Sequence, residues 1–222
     1  MTTLPPAVPL PALPPSVPSK RYPIAAPLGR LILWLLGWKW VGGFADVPRQ
    51  VIIGWPHTSN WDGIVGLSAA AVCGLDARIF AKRQLFRPPI GWMLRAFGGT
   101  PIDRTKGGGV VERAVERFEQ AEAAGEPFVL GIAPEGTRGR REAWKTGFHR
   151  IAVRANVPIA VVALDFGRKQ IGVVGTLVPS GDLEADLGAI RQQLAGVRGK
   201  HPENETPPRA PEPTAGPATP AA

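Results

Sequence analysis

Short apolar runs alternate with helix-like segments along the chain from residue 51 onward. Runs that fit buried strands stand at residues 51–53, 77–81, 128–133, 159–164 and 171–178. Helix-like segments stand at residues 63–72, 110–124, 146–155 and 182–194. Because such alternation is typical of α/β domains, we expect a mixed, mostly parallel central sheet flanked by helices.

Proline is concentrated at both ends of the chain. Residues 1–27 hold nine of the 25 prolines, and residues 201–222 hold seven more. Proline lacks a backbone N–H and interrupts helices and sheets, so both tails are predicted to be disordered. A single folded domain is therefore expected at residues 28–200.

The first segment of that domain, residues 28–44, is apolar on all sides and contains Trp34, Trp38 and Trp40. A helix from Arg30 to Lys39 would span about 13 Å, against a hydrocarbon core of ~30 Å, and therefore cannot cross a bilayer. Tryptophans and flanking cations favour a short helix lying in a membrane interface. The alternative is an ordinary buried helix that packs on the domain.

Charge and cysteine content restrict the partners and the compartment. The formal net charge is +8, from 26 Lys and Arg against 18 Asp and Glu, which favours nucleic acid, acidic lipid head groups or phosphorylated substrates. The single cysteine, Cys73, excludes a disulfide framework and a thiolate metal site. The N-terminus lacks the basic region of a secretory signal, so a cytoplasmic location is expected.

A polar loop is predicted between the strand at residues 51–53 and the helix at residues 63–72. It contains His57, and either Thr58, Ser59 or Asn60 is suited to cap the following helix. Asp62 would lie in or near the first helical turn, close enough for its carboxylate to reach the imidazole. A histidine oriented by an aspartate at the mouth of an α/β sheet has the arrangement of a general base. The alternative is a packed or capping histidine.

Two further polar segments follow predicted strands. Ligands of open α/β sheets bind at the carboxyl ends of strands, where Arg104 and Arg138 are placed to hold a phosphate through planar guanidinium groups. Gly136 would allow backbone amides to approach an anion. Each arginine taken singly is equally compatible with a surface or ion-pair role.

Four ordered blocks of residues resemble those of the glycerolipid acyltransferase family, of which bacterial 1-acylglycerol-3-phosphate acyltransferase is the prototype. The blocks are His57-x4-Asp62, Gly99-x-x-Ile102-Asp103-Arg104, Glu135-Gly136-Thr137-Arg138 and Val157-Pro158-Ile159. The resemblance covers residues 51–162 and implies that residues 28–200 are an acyltransferase domain.

The resemblance also implies the roles of these residues. His57 would deprotonate the hydroxyl of a lysophospholipid acceptor, which attacks the thioester of acyl-CoA or acyl carrier protein, and Asp62 would orient the imidazole. Arg104 and the loop of Glu135, Gly136, Thr137 and Arg138 would hold the acceptor. The protein would lie peripherally on the anionic cytoplasmic face of the cell membrane. Beyond the acyl donor as co-substrate, no cofactor, metal or nucleic-acid partner is expected.

Other catalytic classes lack their motifs in this chain. There is no Gly-x-Ser-x-Gly nucleophile elbow, no His-Glu-x-x-His zinc motif and no phosphate-binding Gly-x4-Gly-Lys. A non-catalytic basic protein that binds lipid or nucleic acid remains the alternative from another class, since its charge and tryptophans would be similar. A transferase acting on a different lyso-lipid is the alternative within the class.

Overall fold

The computed structural model describes residues 12–88, 90–102 and 109–212 of the 222. Its helices are α1 (Ala25–Leu35), α2 (Asn60–Cys73), α3 (Ile90–Ala96), α4 (Gly109–Ala123), α5 (Gly147–Arg154) and α6 (Leu183–Gln193). Its strands are β1 (Lys39–Val41), β2 (Arg49–Trp55), β3 (Arg78–Lys82), β4 (Gly99–Ile102), β5 (Phe128–Ile132), β6 (Ile159–Asp165) and β7 (Gln170–Leu177). Two short 3-10 helices occupy Arg83–Phe86 and Pro202–Asn204.

The strands form one seven-stranded sheet in the order β1-β7-β6-β2-β5-β3-β4. Neighbouring strands are parallel except for β6 and β7, which are antiparallel. The predicted fold class, a mixed and mostly parallel sheet flanked by helices, is confirmed. Because β2 lies between β5 and β6 and runs parallel to both, the loops that follow these three strands leave the sheet at the same edge.

Both faces of the sheet are covered, which explains why its central strands are apolar along most of their length. Val51, Ile53 and Trp55 of β2 pack on the face covered by α4, α5 and α6, while Ile52 points to the opposite face. There, helices α1 and α2 pack against each other and against the sheet. The sheet is thus a rigid layer on which the loops at its carboxyl edge are mounted.

The N-terminal segment departs from the prediction of a single interfacial helix over residues 28–44. Helix α1 begins earlier and ends at Leu35, and Gly37 then turns the chain with a positive φ of 72°, a conformation that glycine adopts readily. Trp38 is buried in the core at 2% exposure, and residues 39–41 form the edge strand β1 beside β7. None of the helices in the described residues is long and apolar enough to span a membrane.

Parts of both proline-rich tails pack against the domain, which corrects the predicted boundaries at residues 27 and 200. Val17 and Tyr22 are buried, and the Tyr22 hydroxyl donates to the carbonyl of Leu75. At the other end, Thr206 is completely buried. Proline-rich segments still carry backbone carbonyl groups, and core side chains donate hydrogen bonds to a carbonyl of the C-terminal segment. Residues 1–11 and 213–222 of the predicted tails lie outside the described residues.

Candidate active site

The loop after β2 positions His57 through the cap of the next helix. Of the three predicted capping residues, Ser59 is the N-cap of α2, its hydroxyl accepting from the Trp61 amide at 3.2 Å. The Asp62 carboxylate returns the contact, accepting from the Ser59 amide at 2.6 Å and from the Ser59 hydroxyl at 2.9 Å. This reciprocal capping box satisfies two otherwise unpaired groups and fixes Asp62 in the first turn of the helix.

The Asp62 carboxylate faces the imidazole of His57. Asp62 Oδ2 lies 3.7 Å from His57 Nδ1, and the His57 side chain retains 27% of its exposure while that of Asp62 is fully buried. The distance is too long for a hydrogen bond, but it brings the carboxylate charge next to the ring. Sequence reasoning therefore placed these two side chains together correctly.

The pKa of the His57 imidazole is held below its ordinary value. Burial is the main cause, since it disfavours the charged ring; Asp62 opposes the shift and the nearby positive charge of Arg138 adds to it. A histidine with a lowered pKa is neutral at pH 7 and has a free lone pair to accept a proton. This is the protonation state that a general base requires.

Glu135 lies beneath the His57 loop rather than facing a substrate cavity. Its Oε2 accepts from the backbone N–H of His57 at 2.5 Å, and its Oε1 accepts from the backbone N–H of Thr206 at 3.0 Å. The residue is 1% exposed. The expectation that Glu135 contacts the acceptor is therefore corrected: both oxygens are occupied in joining the His57 loop to the C-terminal segment.

The rest of the loop after β5 lies at the carboxyl edge of the sheet, as the His57 loop does. Gly136 has a positive φ of 65°, and its N–H donates to the carbonyl of Ala133, so this amide is used inside the loop instead of pointing at an anion. The Thr137 hydroxyl accepts a long bond from the Gly139 amide. Arg138 is exposed and lies close enough to His57 to influence its pKa. Arg104, the other predicted phosphate ligand, lies outside the described residues.

Two cavities adjoin the His57 loop. The first, of about 470 Å³, is here called the Arg138 cavity and is lined by Thr58, Ser59, Asn60, Trp61, Arg138, Lys200, His201 and Asn204. The second, of about 400 Å³, is here called the Lys169 cavity and is lined by Leu36, Trp38, Trp61, Val65, Phe166, Gly167, Lys169, Arg198, Gly199, Lys200 and Pro202. Trp61 and Lys200 belong to both, so the two cavities meet beside the loop that carries His57.

Several of these residues were not predicted from sequence. Lys169 follows β6, and its place after a strand at the carboxyl edge is a signal that the sequence does carry. Arg198 and Lys200 lie after α6, where the chain carries no recognisable motif. Thr206 falls in the proline-rich tail and contributes backbone atoms, which leave no signature in a sequence.

A second histidine–aspartate pair is structural. His149 Nε2 lies 2.7 Å from Asp186 Oδ2, and Asp186 also accepts from the amide and hydroxyl of Ser180. Burial alone would raise the pKa of Asp186, but the hydrogen bonds from His149 and Ser180 hold it below its ordinary value. Both members are buried, so this shorter pair cannot reach a substrate, whereas His57 can.

Comparison with known proteins places the chain in a family. A family model described as Acyltransferase matches residues 43–165. A comparison with curated proteins gave no match. Among solved structures, the chain is similar to the crystal structure of the 1-acyl-sn-glycerophosphate (LPA) acyltransferase PlsC from Thermotoga maritima. The TM-score is 0.51 at 18% sequence identity, over 76% of this chain and 74% of that one.

The structural likeness shows a common fold, and the match to the family model indicates that the chemistry is acyl transfer. The matched region runs from the residues before β2 to the end of β6. It contains His57, Asp62 and the loop with Arg138, which the sheet brings together at one edge. More than half of the sequence is matched, and this chain belongs to the acyltransferase family.

Proposed function

We propose that the protein transfers a fatty acyl group from acyl-CoA or acyl carrier protein to the hydroxyl of a lysophospholipid, with 1-acylglycerol-3-phosphate as acceptor, in phospholipid biosynthesis. The observation that carries this proposal is a neutral, partly exposed His57 beside a buried carboxylate in a member of the acyltransferase family. The adjoining Arg138 cavity supplies a cation suited to an acceptor phosphate.

The proposed reaction follows from the protonation state of His57. Its free ring nitrogen removes the proton of the acceptor hydroxyl as the oxygen attacks the thioester carbonyl. The tetrahedral intermediate then expels the thiolate, which recovers the proton from the imidazolium. The Asp62 carboxylate, 3.7 Å from Nδ1, stabilises the positive charge that His57 carries between these two steps.

The direct test is release of free thiol from a donor in the presence of an acceptor. Palmitoyl-CoA and palmitoyl–acyl carrier protein are each incubated with a panel that contains 1-acylglycerol-3-phosphate, other lysophospholipids and a neutral monoacylglycerol. We expect acceptor-dependent thiol release and a diacyl product. A chain that binds these lipids but releases no thiol with any pair is a binding protein, and the proposal is then wrong.

Arg138→Ala is expected to reduce the preference for a phosphate-bearing acceptor. A charge-assisted hydrogen bond contributes ~1.5–3 kcal/mol, so kcat/KM for 1-acylglycerol-3-phosphate should fall roughly 10–100-fold at 1.4 kcal/mol per decade. Rates with monoacylglycerol should hardly change. Arg138→Lys should recover only part of the loss because an ammonium lacks the planar fork. The same comparison with Arg104→Ala tests the second predicted ligand; unchanged discrimination in both variants would remove the phosphate from the proposal.

We further propose that the protein attaches peripherally to the anionic cytoplasmic face of the membrane through helix α1. Its exposed side carries large apolar side chains, among them Leu28, Leu31, Trp34 and Leu35, and the net charge of +8 favours an anionic surface. Trp61 and Ile64 on the adjacent helix α2 are also exposed.

Charged substitutions on α1 are expected to detach the protein from vesicles. Leu28→Glu combined with Leu35→Glu should lower co-sedimentation with phosphatidylglycerol vesicles by at least ~10-fold, since each exposed leucine contributes ~1.5–3 kcal/mol when buried. Val153→Glu combined with Val178→Glu is the matched control, because these valines are also exposed but lie outside α1. Equal loss of binding in both pairs would show a general charge effect and contradict the role of α1.

The rate should fall as Glu135 becomes protonated. Burial raises the pKa of Glu135 to about 7, against the backbone hydrogen bonds from Thr206 and His57. Below that pH one oxygen becomes an O–H donor facing an N–H, and the link to the His57 backbone weakens. Wild-type kcat should therefore decline as the pH drops through 7, while His57, with its lowered pKa, is still neutral.

Glu135→Gln supplies the comparison for this pH profile. The amide does not titrate, so between about pH 6.5 and 8 the variant should turn over more slowly than wild type but without the decline that protonation of Glu135 causes. Steady-state kcat across this range is the measurement. An identical decline in wild type and variant would assign it to a group other than Glu135.

A further inference from the structure

The Lys169 cavity is lined on one side by three cations from two distant segments. Lys169 lies in the turn between β6 and β7, and Arg198 and Lys200 follow α6. Since β6 is the parallel neighbour of β2, the turn with Lys169 leaves the sheet at the same edge as the His57 loop. Lys200 also lines the Arg138 cavity, so the three cations continue the surface that surrounds His57.

Aromatic rings hold two of these cations in place. The Lys169 ammonium lies 5.7 Å from the centre of the Trp38 ring and 5.8 Å from that of Phe166. The Lys200 ammonium lies 4.7 Å from the centre of the Trp61 ring. Such cation–π contacts position an ammonium without using its N–H donors, which stay free for a ligand.

The charge of this cluster is not balanced by any described acidic side chain. Among the described residues, no carboxylate lies within ion-pair distance of Lys169, Arg198 or Lys200, whereas the neighbouring Arg168 pairs with Asp165 at 3.0 Å. All three side chains are exposed at the cavity. Like charges gathered around one cavity repel each other, and an anion bound between them removes that repulsion.

The backbone at Lys169 adds an independent indication. Its φ is +55°, in the left-handed region where a side chain with a Cβ is disfavoured and glycine or asparagine is common. A strained position occupied by lysine on the rim of a cavity points to a role for its ammonium.

We propose that the Lys169 cavity binds a phosphate group carried by one of the two substrates. Lys169, Arg198 and Lys200 donate to the phosphate oxygens, and the apolar wall of the cavity, which includes Trp38 and Val65, contacts the adjoining carbon chain. This inference rests on the proposed acyl transfer for the identity of the substrates. Both the acyl donor and the lyso-acceptor carry phosphate, and the cavity gives one of them a site separate from Arg138.

The test measures binding in the full-length protein without turnover. Isothermal titration with CoA and, separately, with decyl phosphate below its aggregation concentration represents the donor and the acceptor. The variant K169Q/R198Q/K200Q removes the three charges, and R113Q/R117Q/R150Q on α4 and α5 is the charge-matched control. We expect at least ~100-fold weaker binding of one probe to the first variant, from the loss of several charge-assisted contacts, and little change in the control.

The probe that is lost identifies the source of the phosphate. Loss of CoA binding assigns the cavity to the donor, and loss of decyl phosphate binding assigns it to the acceptor. Lys169→Gly is a second variant that removes the ammonium and relieves the backbone, so it should weaken the same probe ~10-fold without lowering the melting temperature. The proposal is overturned when wild type binds neither probe, or when the folded triple variant binds both as tightly as wild type or loses no more affinity than the control.

Failure of acyl transfer and failure of this inference give different results. A chain that releases no thiol but binds a probe through Lys169, Arg198 and Lys200 refutes the proposed function and retains the phosphate site. A chain that transfers acyl groups normally in the triple variant, with unchanged KM for both substrates, retains the function and refutes the site.

Discussion

Replacing His57 by alanine should lower kcat by ~10²–10⁴-fold, the usual contribution of a general base. Among the described residues, the His57 imidazole is the only group at the carboxyl edge of the sheet that is partly exposed, held neutral by burial and faced by a buried carboxylate. Its loss removes the acceptor of the hydroxyl proton but no packing contact of the core. Steady-state thiol release, with circular dichroism to verify folding, is the measurement.

Asp62→Asn is expected to reduce kcat less than His57→Ala does, because the imidazole keeps a polar neighbour but loses the stabilising charge. Asp62 also belongs to the capping box of α2, so the variant affects the helix as well. Ser59→Ala separates the two effects, since it removes the cap hydroxyl, at a cost of ~0.5–2 kcal/mol, and leaves the carboxylate in place. Near-wild-type turnover in folded His57→Ala would eliminate His57 as the base.

Ending the chain at residue 200 is expected to destabilise the domain severely. The carbonyl of Thr206 accepts from the indole N–H of Trp55 at 2.9 Å and from that of Trp144 at 2.8 Å. The backbone amide of Thr206 donates to the carboxylate of Glu135. Each buried polar group left without a partner costs ~1–3 kcal/mol, so three such groups remove ~3–9 kcal/mol of the ~5–15 kcal/mol that typically stabilises a domain.

Urea unfolding of the full-length protein, two truncated chains and one double variant measures this effect. The chain ending at residue 212 keeps every contact described above and should match the full-length protein, whereas the chain ending at residue 200 should unfold at much lower urea. Trp55→Phe combined with Trp144→Phe removes both indole donors from the intact chain and should cost less than the truncation. Equal stability of the two truncated chains would mean that the C-terminal segment is a passive tail.

The elements that could be predicted are those whose signal is local. The strand before His57 and the capped helix after it lie within about 25 residues, and β-branched runs, a capping residue and an apolar helix identify them directly. His57 and Asp62 were paired for the same reason. Edge strand β1 was missed because three residues, Lys39–Val41, are too few for a periodic pattern, and their apolar character was indistinguishable from a continuing helix.

The parts of the site that escaped prediction depend on contacts between distant segments. Glu135 stands in a motif that suggests a ligand, yet its role is decided by the backbone amides of His57 and Thr206, at separations of 78 and 71 residues. Composition correctly described residues 201–212 as unable to form an α-helix or a strand, and their regular structure is the three-residue 3-10 helix Pro202–Asn204. It could not show that a carbonyl in that segment would complete the core beneath β2.

The distance in sequence between β2 and its partners has a consequence for the timing of synthesis. Trp55 and the carbonyl to which it donates are 151 residues apart, so at 5–20 residues per second the indole waits roughly 8–30 s on the ribosome before its partner is made. Strands β5 and β6, between which β2 lies, also emerge long after it. The central strand β2 is therefore without its neighbouring strands until β5 and β6 have been made, and the His57 loop acquires its final geometry only when nearly the whole chain has been synthesised.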